Sequence, residues 1–251
     1  MLHYCDCMIT PQRVSLFVLP LVGAALLTAG CAAQPATSTP TSTPAVDTAD
    51  PVDDTPTDSA DIEAAWIDGG RGFAVVTWGS SSCIPLIEQV TATGQTIDVV
   101  LADPDETVAC TKDLVPRASS VGLPAGVDPS QPVELHVTYG AVTDDTDLDA
   151  LIDPVDPESP SDQLPSAGWF DDQGIVLLTW GSSTCLPSLE KIDQTATTAT
   201  ATFFTTEGAC TKDLVPQLTI LGMPNEHEAD TPLELVLTGG GLDATVTVLG
   251  D

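Results

Sequence analysis

The segment Thr77-Trp78-Gly79-Ser80-Ser81-Ser82-Cys83-Ile84-Pro85 recurs as Thr179-Trp180-Gly181-Ser182-Ser183-Thr184-Cys185-Leu186-Pro187, 102 residues further on. Ala109 to Pro116 recurs letter for letter as Ala209 to Pro216, at an offset of 100. Pro132-Val133-Glu134-Leu135 returns as Pro232-Leu233-Glu234-Leu235. Nearly constant offsets mark a tandem duplication, so any fold open to one copy must be open to the other. The copies are bounded at residues 62–142 and 166–251, with an acidic, Pro-rich linker expected at 143–165.

Each copy reads as β-structure. Trp66-Ile67-Asp68-Gly69-Gly70 followed by Phe73 to Trp78 is strand, turn, strand, and Trp169 to Trp180 repeats it. The second strand of each pair is a continuous apolar run, as expected where both faces are covered. Ile97 to Leu101, Ala199 to Phe204, Pro116 to Leu123 and Pro216 to Met223 are further strands. Val133, Leu135, Val137 and Tyr139 alternate with Glu134, His136 and Thr138, which puts the two sets on opposite faces. Short helical turns are expected at 85–90 and 187–192. The predicted class is all-β, with two tandem small antiparallel β-sandwich or partly open barrel domains of five or six strands each. The four tryptophans sit at equivalent places, Trp66 with Trp169 and Trp78 with Trp180, and are expected to supply core area.

The N-terminus reads as an export segment. Arg13 precedes an apolar run from Val14 to Leu27, then Thr28-Ala29-Gly30-Cys31. The run is shorter than the roughly 20 residues needed to span a bilayer. Met8 gives a cleaner start than Met1, because it places Arg13 close to the terminus. Residues 1–30 are expected to be a signal peptide. From Cys31 to Asp61 the chain is rich in Thr, Pro, Ser, Ala and Asp and cannot bury enough apolar surface to fold. This stalk would reach about 30 Å as a flexible coil and up to about 90 Å as a polyproline-type chain.

Leu27-Thr28-Ala29-Gly30-Cys31 resembles a bacterial lipobox. The resemblance implies that Cys31 becomes the first residue and carries diacylglycerol, an anchor sufficient for stable attachment at the extracytoplasmic face of the cell membrane. Cys5 and Cys7 fall in the signal region, which leaves Cys83, Cys110, Cys185 and Cys210. Four cysteines allow three pairings. The duplication favours Cys83–Cys110 and Cys185–Cys210, since each copy had to fold alone before doubling. Loops of that length are worth roughly 3.5 kcal/mol each in a chain-entropy account. Zinc is disfavoured because no Cys-x-x-Cys pair or nearby histidine is present.

The formal net charge is −31. Loss of residues 1–30 leaves it unchanged, because Asp6 and Arg13 go together. Such a chain lacks the clustered bases that phosphate binding needs, so nucleic acid is not an expected partner. Nor is it drawn to anionic lipid heads, which leaves the acyl group as the membrane link. The acidic run Asp144 to Asp149 lacks the glycine and terminal glutamate of a calcium loop and reads as solvated linker.

No catalytic set recurs in both copies. His136 is matched by Val236, His227 sits in an acidic loop, and His3 is in the signal region. Ser188-Leu189-Glu190-Lys191 fits a Ser-x-x-Lys pattern, but copy 1 has Leu86 and Gln89 there. No cofactor or metal is expected. What the copies share is Ser80, Ser81 and Ser82 with Lys112 and Asp113, and Ser182, Ser183 and Thr184 with Lys212 and Asp213. The proposed disulfides would bring each hydroxyl-rich loop beside its Lys-Asp pair and form a patch suited to a peptide end or a glycan. The whole layout resembles secreted lipoproteins of actinobacteria. The expected role is a non-enzymatic, membrane-anchored binding or envelope-interaction module, with an envelope protein or glycan as partner. A cell-wall or peptide hydrolase using the shared serines and a spacer without ligand are the alternatives.

Overall fold

The computed structural model describes residues 61–250, apart from 106, 206–207 and 228–230. The signal segment, Cys31 and residues 31–60 of the stalk lie outside the described residues. Copy 1 contributes β1 (Glu63–Ile67), β2 (Gly72–Gly79), β3 (Leu86–Thr93), β4 (Thr96–Ala102), β5 (Val115–Gly122), β6 (Val133–Tyr139) and β7 (Val142–Leu148). Copy 2 contributes β8 (Ser166–Asp171), β9 (Gly174–Gly181), β10 (Leu189–Gln194), β11 (Thr198–Phe203), β12 (Val215–Gly222), β13 (Glu234–Gly239) and β14 (Leu242–Leu249). The all-β class is as expected, with seven strands per copy instead of five or six.

In copy 1, β1-β2-β5 forms one sheet and β3-β4-β6-β7 another. Phe73 and Val75 on one face of β2 meet Ile97, Val99, Leu135 and Val137 across the gap. Copy 2 repeats the arrangement. There, parallel pairing of Val248 with Ala167 and Leu249 with Gly168 joins the two halves into one sheet, β10-β11-β13-β14-β8-β9-β12. That sheet folds over on a second core of Ile175, Leu177, Phe203, Leu235 and Leu237.

The expectation of two separate antiparallel sandwich or barrel domains is corrected: β4 pairs with β6, and β11 with β13, in parallel. A third apolar layer, Ala65, Ile67, Ala74, Val76 and Ala118 against Phe170, Val176 and Leu178, fuses the copies. The chain follows the path of a β-solenoid of about 4 turns. The physical reason lies in β2 and β9. Successive strand residues point to opposite faces, and Phe73 to Val76 and Ile175 to Leu178 are buried throughout. One face is covered within the copy, and the other copy covers the second.

Two local expectations also change. Residues 86–93 and 189–194 are strands, not helical turns, because Ile87, Val90 and Thr91 pair with β4 and Ile192 with β11. The predicted linker begins with a strand: Asp144, Thr146 and Leu148 turn inward while Asp145 and Asp147 stay exposed. An edge strand carrying exposed carboxylates resists pairing with other chains. The rest of the linker stays largely exposed but is pinned to the fold at points. Leu151 is buried in the first core, its N–H donates to Pro129 O at 2.8 Å, and Arg71 Nε donates to Ser159 Oγ at 3.1 Å.

Trp66 and Trp169 are buried as expected. Trp78 and Trp180 are half-buried, with Trp78 edge-on to Phe170 in the layer between the copies.

Candidate functional site

β2 ends at Gly79, and the chain turns through Ser80-Ser81-Ser82, where Cys83 N–H donates back to Ser80 O at 3.2 Å. The disulfide Cys83–Cys110 then holds this turn against Thr111-Lys112-Asp113, with the Cα atoms 5.5 Å apart. Cys185–Cys210 does the same in copy 2 at 5.6 Å. Both pairings are those the duplication favours.

The expected residues do come together, around a threonine that the sequence reading left out. Thr111 Oγ1 lies 2.8 Å from Ser80 Oγ, and Thr111 N–H donates to Ser82 Oγ at 3.0 Å. Ser81 N–H donates to Asp113 Oδ1 at 3.2 Å, and Thr111 Oγ1 donates to the same carboxylate. Copy 2 repeats each contact: Ser182 with Thr211 at 2.6 Å, Thr211 N–H to Thr184 Oγ1 at 3.1 Å, Ser183 N–H to Asp213 Oδ1 at 3.3 Å. Hydrogen bonds from Ser81 and Thr111 hold the Asp113 carboxyl down at about 2. Ser183 and Thr211 do the same for Asp213. Lys112 and Lys212 stand exposed beside these clusters. The hydroxyls are thus committed to one another, as in a turn whose side chains satisfy local backbone groups.

Beneath the patch the copies differ, and this difference was missed in the sequence. In copy 1, buried Arg117 crosses the space between the sheets. Its Nε donates to Thr77 Oγ1 at 3.3 Å, its Nη1 to Ser80 O at 3.4 Å and to Cys83 O, and its Nη2 to Tyr139 Oη at 2.9 Å. Tyr139 Oη in turn donates to Asp103. The guanidinium stacks so closely over the loop that a Cβ on Gly79 would meet Arg117 Cζ at 2.5 Å. Copy 2 has Gln217 for Arg117, Gly239 for Tyr139 and Thr205 for Asp103. Gln217 Nε2 donates to Ser182 O at 2.5 Å and lies 3.5 Å from Cys185 O. It does not reach Thr179, the counterpart of Thr77.

The outcome is a cavity of about 340 Å³ lined by Thr179, Gly181, Ser182, Thr205, Gln217 and Leu242, among others. Thr179 is 1 % exposed, and its Oγ1 has no hydrogen-bond partner among the described residues. It shares a strand face with Ile175 and Leu177 and so points into the space between the sheets. A buried hydroxyl without a partner costs about 1–3 kcal/mol. The signal that could have found this site is the first mismatch after the identical octapeptides, Arg117 against Gln217, in a chain with only 6 Lys and Arg.

Among the described residues, His136 and His227 stand apart from this site. His136 is flanked by Asp98 and Glu134 at 3.4 Å each and Asp145 at 3.9 Å. The hydrogen bond to Glu134 is the main cause raising its pKa. His227 stacks on Trp169 with ring centroids 4.2 Å apart. That stack borders a second cavity of about 260 Å³ with Glu63, Asp149 and Asp171 on its walls. Among the described residues, no group of three or more His, Cys, Asp or Glu is placed to hold a metal ion. No helix among them is long and apolar enough to cross a membrane. No family model, curated protein or solved structure matches the chain.

Proposed function

We propose that the chain is a lipid-anchored, extracytoplasmic, non-enzymatic binding module whose ligand site is the cavity under the disulfide loop of copy 2. The observation that carries this reading is Thr179. Its hydroxyl is buried and has no partner among the described residues, on a residue that lines a cavity, where its counterpart Thr77 accepts a hydrogen bond from Arg117. Natural folds rarely leave such a group orphaned without a role for it. Copy 1 satisfies its own site and acts as scaffold. The anchor rests on the lipobox-like Leu27 to Cys31, and the stalk holds the folded part away from the bilayer.

A hydrolase built on the shared serines has less support. A nucleophilic serine needs a base to take its proton. The carboxylate in each cluster, held at about 2, is a poor one.

The test is a titration of isotope-labelled full-length protein with fractionated envelope peptides and glycans. Amide shifts are expected at Thr179, Thr205 and Gln217, and not at Thr77, Asp103 and Arg117. Equal shifts in both copies, or shifts confined to the exposed serines, would defeat the assignment. Incorporation of labelled fatty acid into wild type but not into Cys31→Ala checks the anchor.

A further inference from the structure

We infer that the copy 2 cavity is a guanidinium site, which takes the arginine side chain of a peptide or protein. The inference rests on reading that cavity as the ligand site and adds the chemistry of what enters it.

The duplication supplies the template. In copy 1 the oxygens of Thr77, Ser80 and Cys83 receive a guanidinium from the chain itself. The same oxygens exist in copy 2 as Thr179, Ser182 and Cys185, on strands and loops of the same register. A carboxamide has two N–H donors where a guanidinium has five in a planar fork. Gln217 therefore serves the two carbonyls and leaves Thr179 Oγ1 unserved. An external guanidinium supplies the missing donor.

The other two replacements open the way in. Tyr139 closes the copy 1 site by bonding Arg117 on one side and Asp103 on the other. Gly239 and Thr205 remove that lock, and Thr205 with Gly240 and Gly241 then lines the cavity. A net charge of −31 adds a long-range attraction for cations. Charge alone does not separate arginine from lysine. The spread of acceptors does: Ser182 O and Cys185 O each keep a second lone pair beside the bond from Gln217, and together with Thr179 Oγ1 they suit a planar fork, whereas a lysine ammonium is a compact point charge.

The test uses the full-length protein with N-acetyl-arginine amide, N-acetyl-lysine amide and N-acetyl-tyrosine amide as probes, in 0.5 M NaCl to screen surface attraction. Arginine amide is expected to bind at least tenfold more tightly than lysine amide, with one site per chain and shifts at Thr179 and Gln217. Gln217→Arg, which places the copy 1 guanidinium in copy 2, should weaken binding at least tenfold. Thr179→Val keeps the shape and should weaken it several-fold, so a folding failure of the first variant leaves the test intact. Equal binding of arginine and lysine amides, or no arginine binding, overturns the guanidinium assignment. Tyrosine amide shifting Thr179 where arginine amide does not would overturn it too, and would leave the cavity standing as the ligand site.

Discussion

Gly168 lies against the carbonyl oxygen of Trp66, so close that a Cβ on residue 168 would overlap it. This contact joins β8 of copy 2 to β1 of copy 1 at the edge of the apolar layer that both copies share. A methyl group there must push the strands apart. Gly168→Ala is expected to destabilise the protein by about 1–3 kcal/mol, the usual cost of overpacking. Because the layer belongs to both copies, calorimetry should show one transition moving down as a unit. Two transitions, with only one shifted, would show that the copies unfold independently.

Much of this architecture was legible in the sequence. The repeat gave the equivalence of the copies and, through it, the cysteine pairing, and alternation in β6 and β13 gave their inward faces. The uninterrupted apolar runs of β2 and β9 said that both faces are covered, but not by what, and so the layer between the copies was missed. β7 was hidden by composition, since Asp144 to Asp147 looks like linker while its alternation still carries Leu148 into the core. The site was the least legible part. Identity between copies pointed to the serine loops, whose hydroxyls turn out to fix a turn. The cavity depends on Arg117/Gln217, Tyr139/Gly239 and Asp103/Thr205, three mismatches that only the fold brings together.

The two threonines of the site should respond oppositely to the same substitution. Thr77→Val removes the acceptor of a buried guanidinium N–H. Hydrogen bonds to charged groups are worth about 1.5–3 kcal/mol, so a loss of that order is expected. Thr179→Val removes a hydroxyl that is buried without a partner among the described residues and should leave stability unchanged or raise it by about 1 kcal/mol. Urea unfolding of the two variants gives the comparison. A loss at Thr179 equal to that at Thr77 would mean its hydroxyl is already satisfied.

Asp113 and Asp213 report whether the disulfide loops are docked. Their folded pKa of about 2 lies below the ordinary 3.8, through hydrogen bonds from Ser81 and Ser183 first and from the threonines next. A depressed carboxylate contributes stability above its unfolded pKa and loses it as pH falls through the folded value. The contribution is therefore intact above about pH 4 and fades toward about pH 2. Carboxyl carbon shifts should titrate near 2 in the oxidised protein and move toward 3.8 when both disulfides are reduced. Midpoints near 3.8 before reduction would contradict the hydrogen-bond geometry.

Glu63 should impose the opposite pH dependence. Burial first, then the neighbouring Asp61, Asp171 and Asp144, raise its pKa from 4.5 to about 7. In the unfolded chain the group ionises near 4.5, while the folded protein keeps its proton until about 7. Between those values the folded state binds more protons, so stability falls as pH rises. Below about 4.5 both states are protonated and the group costs nothing. Above about 7 both are ionised and the penalty is complete. Glu63 is only partly buried, so solvent screening cuts that penalty to the order of 1 kcal/mol. Glu63→Gln removes the ionisation and nearly keeps the shape. The variant should match wild type at pH 4 and exceed it by that margin at pH 8 in parallel urea titrations. Identical stabilities at pH 8 would mean that Glu63 ionises at no cost in the fold, and a gain at pH 4 as large as at pH 8 would mean that packing, not charge, is at work.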